Sequence, residues 1–593
     1  MDIDIALHKW IVLFTLAIAI LLLIWGKRRP SHIFIGAVAL LLSLHIISFE
    51  TVVAGLANEQ LLTVFMVIML SAVVQKKFNP YQSLDKCFKS CMTPRSFLLR
   101  LSGIVSVFSS CFNNTPIVAM LMPYVYEKAK DYNVAPSKFL MPLSFVAIMG
   151  GMITLIGTST NLVLNGLMES NGVEVLKFTD FLFPGILVTL VGIAYFYFIG
   201  YDLLDSNTMI LEKAEMKVRA YFIETILTEE SHYIGRTMRE MGLRDIKGVN
   251  PVRIIRRGES INVVMNTSIR LEKEDRIIFS GQKEDIITLL ENNEDLRVAK
   301  HPQFQLKRAS NILEISIPVN SEFERIQVRD IDFKTTYNST IIAIHRNGAT
   351  FKGRIGDIVL RSGDVLLIAS SDLVSITQLR RDFYLLSHDN YEEIVRRGPD
   401  NWFIGSVAII LGMTIIGHLS LFKGLFLTVL MSLFFRLITL RELQKTIDRE
   451  LFFVLVLALA IGNVFITSGA SQMISEYTLE WLLPLGTIGI LIGLMLLTIF
   501  LTSFVTNVAA VSVAFPLAYT ISQQAGIDGE VLYLGVAYAA SAAFLTPISY
   551  QTNMIVASPG GYTIKDFLKV GSPLLVLYLI TIITYLIIRY ELF

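Results

Sequence analysis

The chain has 593 residues, of which 53% are hydrophobic and 17% charged, with a formal net charge of +1 and a mean hydropathy of +0.58. Soluble domains carry about 25% charged residues, so this is the composition of a membrane protein, and the near-neutral balance argues against a nucleic-acid binder that works by bulk charge. Three cysteines, Cys87, Cys91 and Cys111, are too few for a disulfide scaffold and lack zinc-site spacing.

A spanning helix needs about 20 mostly apolar residues. In chain order the candidates are 10–26, 32–48 and 61–75, then 97–126, which FNNTP breaks at 112–116, then 138–168 and 179–204. The first run ends in GKRR without a small-residue cleavage pattern, so it reads as a retained helix. From about 205 to 398 charges are dense and short alternating strands appear. The apolar pattern resumes at 401–419, 421–438 and 450–469, continues through 482–523, which TSFVTN breaks, and ends with 529–558 and 571–590.

The two apolar halves align at a nearly constant offset. Asn114 to Asn507 and Pro123 to Pro516 are each 393 residues apart, and Asn161 to Asn553 is 392. This is an internal repeat. Lys and Arg mark the cytoplasmic side. They follow the first span as GKRR, the third as Lys76, Lys77, Lys86, Lys89, Arg95 and Arg100, and the broken segment as Lys128, Lys130 and Lys138. All can lie on one side only if 97–126 enters and leaves there as a re-entrant hairpin. Continuing the count places 205–398 in the cytoplasm and brings the second broken segment in from the opposite face. The predicted fold is an α-helical polytopic membrane protein with two inverted repeats, each of five spanning helices and one re-entrant hairpin, and an inserted cytoplasmic α+β tandem. The expected divisions are 1–204, 205–292, 293–398 and 399–593.

Non-helical backbone at membrane depth is tolerated only where it is buried in protein or lines a water-filled cavity. Inverted repeats with interrupted helices point to a secondary transporter whose substrate sits where half-helix ends meet. The interruptions here are FNNTP (112–116), GTSTN (157–161), VTNV (505–508) and TPISYQTN (546–553). Asn, Thr and Ser supply neutral oxygens for Na⁺. Free N–H groups at half-helix N-termini make an oxyanion site that needs no Lys or Arg. A single polar residue in a spanning helix is often interhelical glue; four clusters at matched spacing are not explained that way.

These motifs resemble the paired Ser-Asn-Thr hairpins of the divalent anion:sodium symporter family, and GTSTNLV and TPISYQTNMIV resemble the partner loops of its bacterial and algal branch. The resemblance spans both apolar halves. It implies a plasma-membrane homodimer working as an elevator, with Na⁺ as the transported coupling ion and sulfate, citrate or dicarboxylate as substrate classes. By match, Ser109, Asn113, Asn114 and Gly157 would hold one Na⁺, and Thr502, Thr506, Asn507 and the backbone near Thr546 the other. Asn113, Asn114, Thr115, Thr506, Asn507 and Val508 would face the anion. Thr158, Ser159, Thr160, Asn161, Pro547 and Asn553 would support them. Asn113 and Thr506 depart from the usual Ser, and Val508 from the usual Thr. The hydroxyl lost at 508 favours a compact anion such as sulfate over a long C4-dicarboxylate, which is the second expectation.

The charged block holds two similar units, each running strand, Gly turn, strand, then Gly/Asp before another strand. They look like a tandem of the C-terminal regulatory modules (RCK_C, TrkA-C) of potassium-transport proteins. Such modules dimerise and in some proteins bind small ligands. There is no P-loop and no G-x-G-x-x-G in the chain, so neither an ATP-driven pump nor a dinucleotide fold is expected. The modules also motivate a different class of function, a channel gated by its cytoplasmic part, but no TVGYG-like filter is present. No enzymatic activity and no nucleic-acid partner are expected; the partners are the anion, the bilayer and a second copy of the chain.

Overall fold

In the computed structural model, the residues described are 2–25, 28–77, 88, 93–204, 221–228, 231–243, 248–256, 259–262, 269–281, 283–293, 295–298, 311–318, 321, 323–337, 339–346, 355–370, 379, 382–385, 401–415, 418–447 and 449–592. Cys87, Cys91, Lys86 and Lys89 lie outside them. The first half is helical: α1 (Asp2–Trp25), α2 (Pro30–Ser43), α3 (Phe49–Leu56), α4 (Glu59–Lys77), α5 (Pro94–Cys111), α6 (Asn114–Asp131), α7 (Ser137–Gly151), α8 (Ser159–Ser170) and α9 (Phe178–Tyr195). The second half has α10 (Asn401–Ile415), α11 (Leu421–Phe434), α12 (Leu440–Thr446), α13 (Arg449–Thr467), α14 (Ala470–Leu482), α15 (Gly486–Phe504), α16 (Asn507–Ala525), α17 (Gly529–Ser541), α18 (Gln551–Gly560) and α19 (Ile564–Arg589). Among the described residues six stretches are long and apolar enough to cross a membrane, and four shorter apolar helices accompany them.

Local chemistry sets the helix starts. Thr93 caps α5 in a capping box with Ser96, with Pro94 just inside, where its missing N–H is not needed. Thr439 and Glu442 do the same for α12, and Thr563 and Asp566 for α19. The short α3 and α14, which hydrophobic runs alone do not reveal, start after Ser48 and after left-handed Gly469.

Contacts between remote segments sort into two ends of the helical body. At one end the Ser31 N–H and Oγ donate to the Glu450 carboxylate at 2.7 and 2.6 Å, and Arg95 pairs with Asp202 at 2.6 Å. There too Lys138 Nζ reaches the Tyr201 carbonyl at 2.9 Å. At the other, Asn171 donates to Asn463 at 2.9 Å, Asn58 donates to the Gly166 carbonyl at 3.2 Å, and Tyr590 donates to Glu530 at 2.7 Å. Each contact joins residues that the Lys/Arg pattern places on the same side.

The strands of the charged block join in one antiparallel sheet. Its strands are β1 (Tyr221–Leu227), β2 (Val249–Arg256), β3 (Glu259–Asn262), β4 (Arg276–Gly281), β5 (Leu296–Val298), β6 (Asn311–Ser316), β7 (Ser339–His345), β8 (Val365–Ser370) and β9 (Tyr384–Leu385). They form a single sheet in the order β3-β2-β4-β1-β7-β8-β6-β9, with β5 also on β1. Internal duplication is visible in detail. Arg256 forks onto Asp275, with Nε to Oδ1 at 2.8 Å, as Arg346 forks onto Asp364 at 2.6 Å. Glu274 and Gly363, beside those aspartates, both have positive φ (66° and 82°), as do Gly235 and Arg325 (81° and 69°). Hydrogen bonding to Asp275 raises the Arg256 pKa. The two repeats meet where β1 pairs with β7. A Cβ added at Gly363 would lie 3.4 Å from the Met554 carbonyl oxygen, so the block touches α18.

Candidate functional site

Each broken segment is a helical hairpin whose tip is a two-residue extended step. Cys111 ends α5, Phe112 is extended, and Asn113 caps α6 by accepting from the Thr115 N–H at 3.2 Å. Likewise Phe504 ends α15, Val505 is extended, and Thr506 caps α16 by accepting from the Ala509 N–H at 3.3 Å. Asn and Thr break the helices here because their side chains satisfy first-turn N–H groups that have no helical partner. The first residues of the outgoing helices, Asn114 and Asn507, are buried.

The partner loops interrupt the other helix pairs, between α7 and α8 and between α17 and α18. Thr158 precedes α8 and Tyr550 precedes α18 at the same relative position. The loops are clipped to the hairpins by equivalent bonds. Thr154 Oγ1 donates to the Ser110 carbonyl, and Thr546 Oγ1 donates to the Ser503 carbonyl at 2.8 Å. Asn161 Nδ2 donates to the Thr154 carbonyl and Asn553 Nδ2 to the Thr546 carbonyl, each at 3.3 Å.

The first half leaves oxygens unused. Ser109 Oγ, Asn114 Oδ1 and Asn161 Oδ1 are buried without a hydrogen-bond partner. Gly157 and Gly151 bring the Ser109 backbone and the Asn114 side chain close to each other. A Cβ on Gly157 would lie 2.5 Å from the Ser109 carbonyl and 2.4 Å from that of Gly151, and one on Gly151 would lie 2.5 Å from Asn114 Oδ1. Buried polar atoms are nearly always bonded, and neutral oxygens of this kind are the type of ligand a hard cation takes. Among the described residues no group of three or more His, Cys, Asp or Glu gathers, so the neutral oxygens are what is available.

The second half pairs its own groups. Thr502 Oγ1 lies 2.9 Å from Asn507 Oδ1 and 2.7 Å from the Ala540 carbonyl oxygen, which share its one proton, and Asn507 Nδ2 and Ser541 Oγ are unpartnered. Ser144 Oγ joins Asn553 Oδ1 at 2.7 Å and Thr552 Oγ1 at 2.8 Å. Thr546 uses its hydroxyl on the Ser503 carbonyl, Thr506 is exposed, and Val508 is buried. Thr160 Oγ1 is bonded by Thr158 at 3.2 Å; Ser159 and Pro547 are half-buried at the loop ends.

Sequence reasoning missed four participants. Thr154 is one, although subtracting the 392 offset from Thr546 leads to it. Ser144 carries no signal in its apolar helix. Tyr550 and Gln551 come from the opposite half: Asn114 Nδ2 donates to the Tyr550 hydroxyl at 3.2 Å, and Thr115 Oγ1 to Gln551 Oε1 at 3.0 Å. The same register pairs Gly157 with Ser549, so the longer loop TPISYQTN aligns through Asn553 without an insertion.

Residues 20–531, and again 413–592, match the citrate transporter family (CitMHS). The chain belongs to that family. It is a multi-pass integral membrane transporter, not an enzyme. Among relatives, a candidate sulfur deprivation response regulator of Chlamydomonas reinhardtii is 27% identical over 91% of this chain and 94% of its own length. An uncharacterised transporter of Synechocystis sp. is 26% identical over 97% and 95%. Sodium/sulfate cotransporter 1 of Chlamydomonas reinhardtii is 24% identical over 64% of this chain and 45% of its own. The solved YdaH transporter of Alcanivorax borkumensis aligns over 99% of this chain and 98% of its own at 10% identity and a TM-score of 0.42, too slight a likeness to build on.

Proposed function

We propose that this transporter is a Na⁺-coupled carrier of a divalent oxyanion, with sulfate its first substrate. The observation that carries the reading is the set of buried, unpartnered oxygens on Ser109, Asn114 and Asn161, beside the N-termini of α6 and α8. The cation takes Ser109, Asn113, Asn114 and the backbone at Gly157 in the first half, and Thr502, Thr506, Asn507 and the loop at Thr546 in the second. The anion meets the tips at Asn113, Asn114, Thr115, Thr506, Asn507 and Val508. Relatives named sodium/sulfate cotransporters support both the coupling ion and the substrate.

The hairpins enter from opposite faces, the two halves are inverted repeats, and residues 205–398 form a cytoplasmic tandem of RCK_C-like regulatory modules. A homodimer moves its hairpin-bearing part as an elevator. The hairpin equivalences and the two-end sorting of contacts support this arrangement. The family's description as citrate transporters favours a second reading, C4-dicarboxylate or related carboxylate transport.

The test is uptake of radiolabelled sulfate into proteoliposomes, with and without an inward Na⁺ gradient, competed by molybdate and by succinate. Na⁺-dependent uptake blocked by molybdate alone is the expected result. Succinate uptake without sulfate uptake selects the second reading, and non-saturating currents in place of uptake would overturn both.

A further inference from the structure

Two side chains at the first hairpin tip bond to residues from the other half of the chain. Thr115 donates to Gln551 Oε1 at 3.0 Å, and Asn114 donates to the Tyr550 hydroxyl at 3.2 Å. Tyr550 caps α18 and Gln551 is its first residue, as Thr158 and Ser159 are for α8. Applying the 393 and 392 offsets, the counterpart of the Thr115–Gln551 pair is Val508 with Ser159. Valine has no hydroxyl, so that counterpart seam cannot form the same bond. The two walls of the site are therefore chemically unequal.

A primary amide has one acceptor oxygen and two N–H donors. With its oxygen held by Thr115, the Gln551 amide turns its nitrogen away from the hairpin. Among the described residues that nitrogen has no hydrogen-bond partner. Gln551 is half-buried and sits in the first turn of α18, where backbone N–H groups lack helical partners. Side-chain and backbone donors thus gather on this wall, whereas the counterpart position at Val508 supplies no side-chain hydrogen-bonding group.

We propose that Gln551 is the specificity-determining residue of the anion site, its amide N–H group binding an anion oxygen in the orientation that Thr115 fixes. This rests on the reading of the protein as an oxyanion carrier. Donors concentrated on one wall suit a compact tetrahedral dianion, all of whose oxygens lie within reach of that wall. A C4-dicarboxylate carries a carboxylate at each end, and the end at the second hairpin lacks the hydroxyl that threonine would supply at position 508. Burying an unpaired charged group in this way is a strong means of rejection.

The test is uptake of radiolabelled sulfate by the full-length chain in proteoliposomes under a Na⁺ gradient, with succinate as competitor. Gln551→Ala should raise the sulfate KM about ten- to a hundredfold, the loss of one hydrogen bond to a charged group, while the maximal rate and the Na⁺ half-saturation stay within about twofold. Gln551→Glu is isosteric, presents only acceptors when ionised, and should abolish uptake. Val508→Thr restores a donor to the second wall and should make succinate an inhibitor. If Gln551→Ala misfolds, the isosteric variant still decides. An unchanged KM in Gln551→Ala, or sustained uptake by Gln551→Glu, overturns the proposal and leaves the carrier reading standing. Wild-type protein that takes up no oxyanion overturns the carrier reading itself, and wild-type preference for succinate overturns the selection argued here.

Discussion

Replacing Ser109 by alanine separates a cation ligand from a structural hydroxyl, because the two roles predict opposite signs. Ser109 is fully buried and its Oγ has no hydrogen-bond partner. Leaving a buried hydroxyl unsatisfied costs about 1–3 kcal/mol. Dispersion attraction is worth about 0.1–0.2 kcal/mol per atom pair, so removing one oxygen with its handful of neighbours forfeits less than that cost. Ser109→Ala should therefore be more stable than wild type in Na⁺-free buffer. At Na⁺ concentrations about a hundredfold above the dissociation constant, wild type gains about 2.7 kcal/mol from binding. The variant lacks a ligand and gains less, so Na⁺ closes the gap and reverses it where the wild-type gain exceeds the variant's by more than the hydroxyl's cost. Thermal unfolding of the purified protein in NaCl and in choline chloride reads both signs. Ser110→Ala is the control, since Ser110 Oγ is exposed and already donates to the Val107 carbonyl at 2.8 Å; it should behave alike in both salts. A Ser109→Ala protein less stable than wild type in choline, or one that keeps the full Na⁺ shift, would refute the assignment.

Asn114→Ala and Asn507→Ala should each abolish Na⁺-dependent uptake while gel filtration shows folded protein; uptake at the wild-type rate in either would remove that hairpin from the site. Gly157→Ala should raise the Na⁺ half-saturation by about fivefold or more by the measure of ~1–3 kcal/mol for overpacking, because its methyl meets carbonyl oxygens at 2.4 and 2.5 Å. Gly103→Ala, with nothing within 4 Å, should leave it unchanged. In the charged block, Arg346→Met leaves the buried Asp364 carboxylate without its fork and should destabilise the sheet by about 3–5 kcal/mol, read as loss of protection in hydrogen exchange over β6–β8. Retained protection there would mean that the ion pair does not hold the turn at Gly363.

The hairpin tips were legible because helix breaking and ligand chemistry use the same residues. Asn and Thr interrupt an apolar run and cap the next helix, so FNNTP and VTNV announce both the turn and the oxygens. The 393 offset made the second tip recognisable once the first was seen. Short α3 and α14 escaped because eight and thirteen residues are too few to register as spanning periodicity. Tyr550 and Gln551 escaped for a different reason. Their partners, Asn114 and Thr115, are 436 residues away, and pairing by offset links each residue to its counterpart rather than to its neighbour. The repeat in the charged block was visible as two similar strand patterns. That the units share one sheet depends on the edge pairing of β1 with β7, which local alternation does not encode.

The absence of fixed charge explains why such a site should couple its ions. The stretches 101–126, 139–168, 481–527 and 531–564, which build both hairpins and both loops, contain no Lys, Arg, Asp or Glu. A dianion entering alone would meet only dipoles, and Na⁺ entering alone only neutral oxygens. In a buried setting each ion is then the other's principal counter-charge, since unpaired charge is costly away from water. A permanent arginine would hold the anion without Na⁺ and make release as unfavourable as binding is favourable. Neutral oxygens avoid that trap: under the proposed reading Na⁺ would organise Ser109 and Asn114, the anion's charge would be offset only while Na⁺ stayed, and loss of Na⁺ on the far side would loosen the anion. The unequal halves sharpen the scheme. Asn507 Oδ1 is already bonded by Thr502, whereas the first-half oxygens are unpaired, so cation binding relieves more frustration at the first hairpin, the one whose tip also holds Gln551.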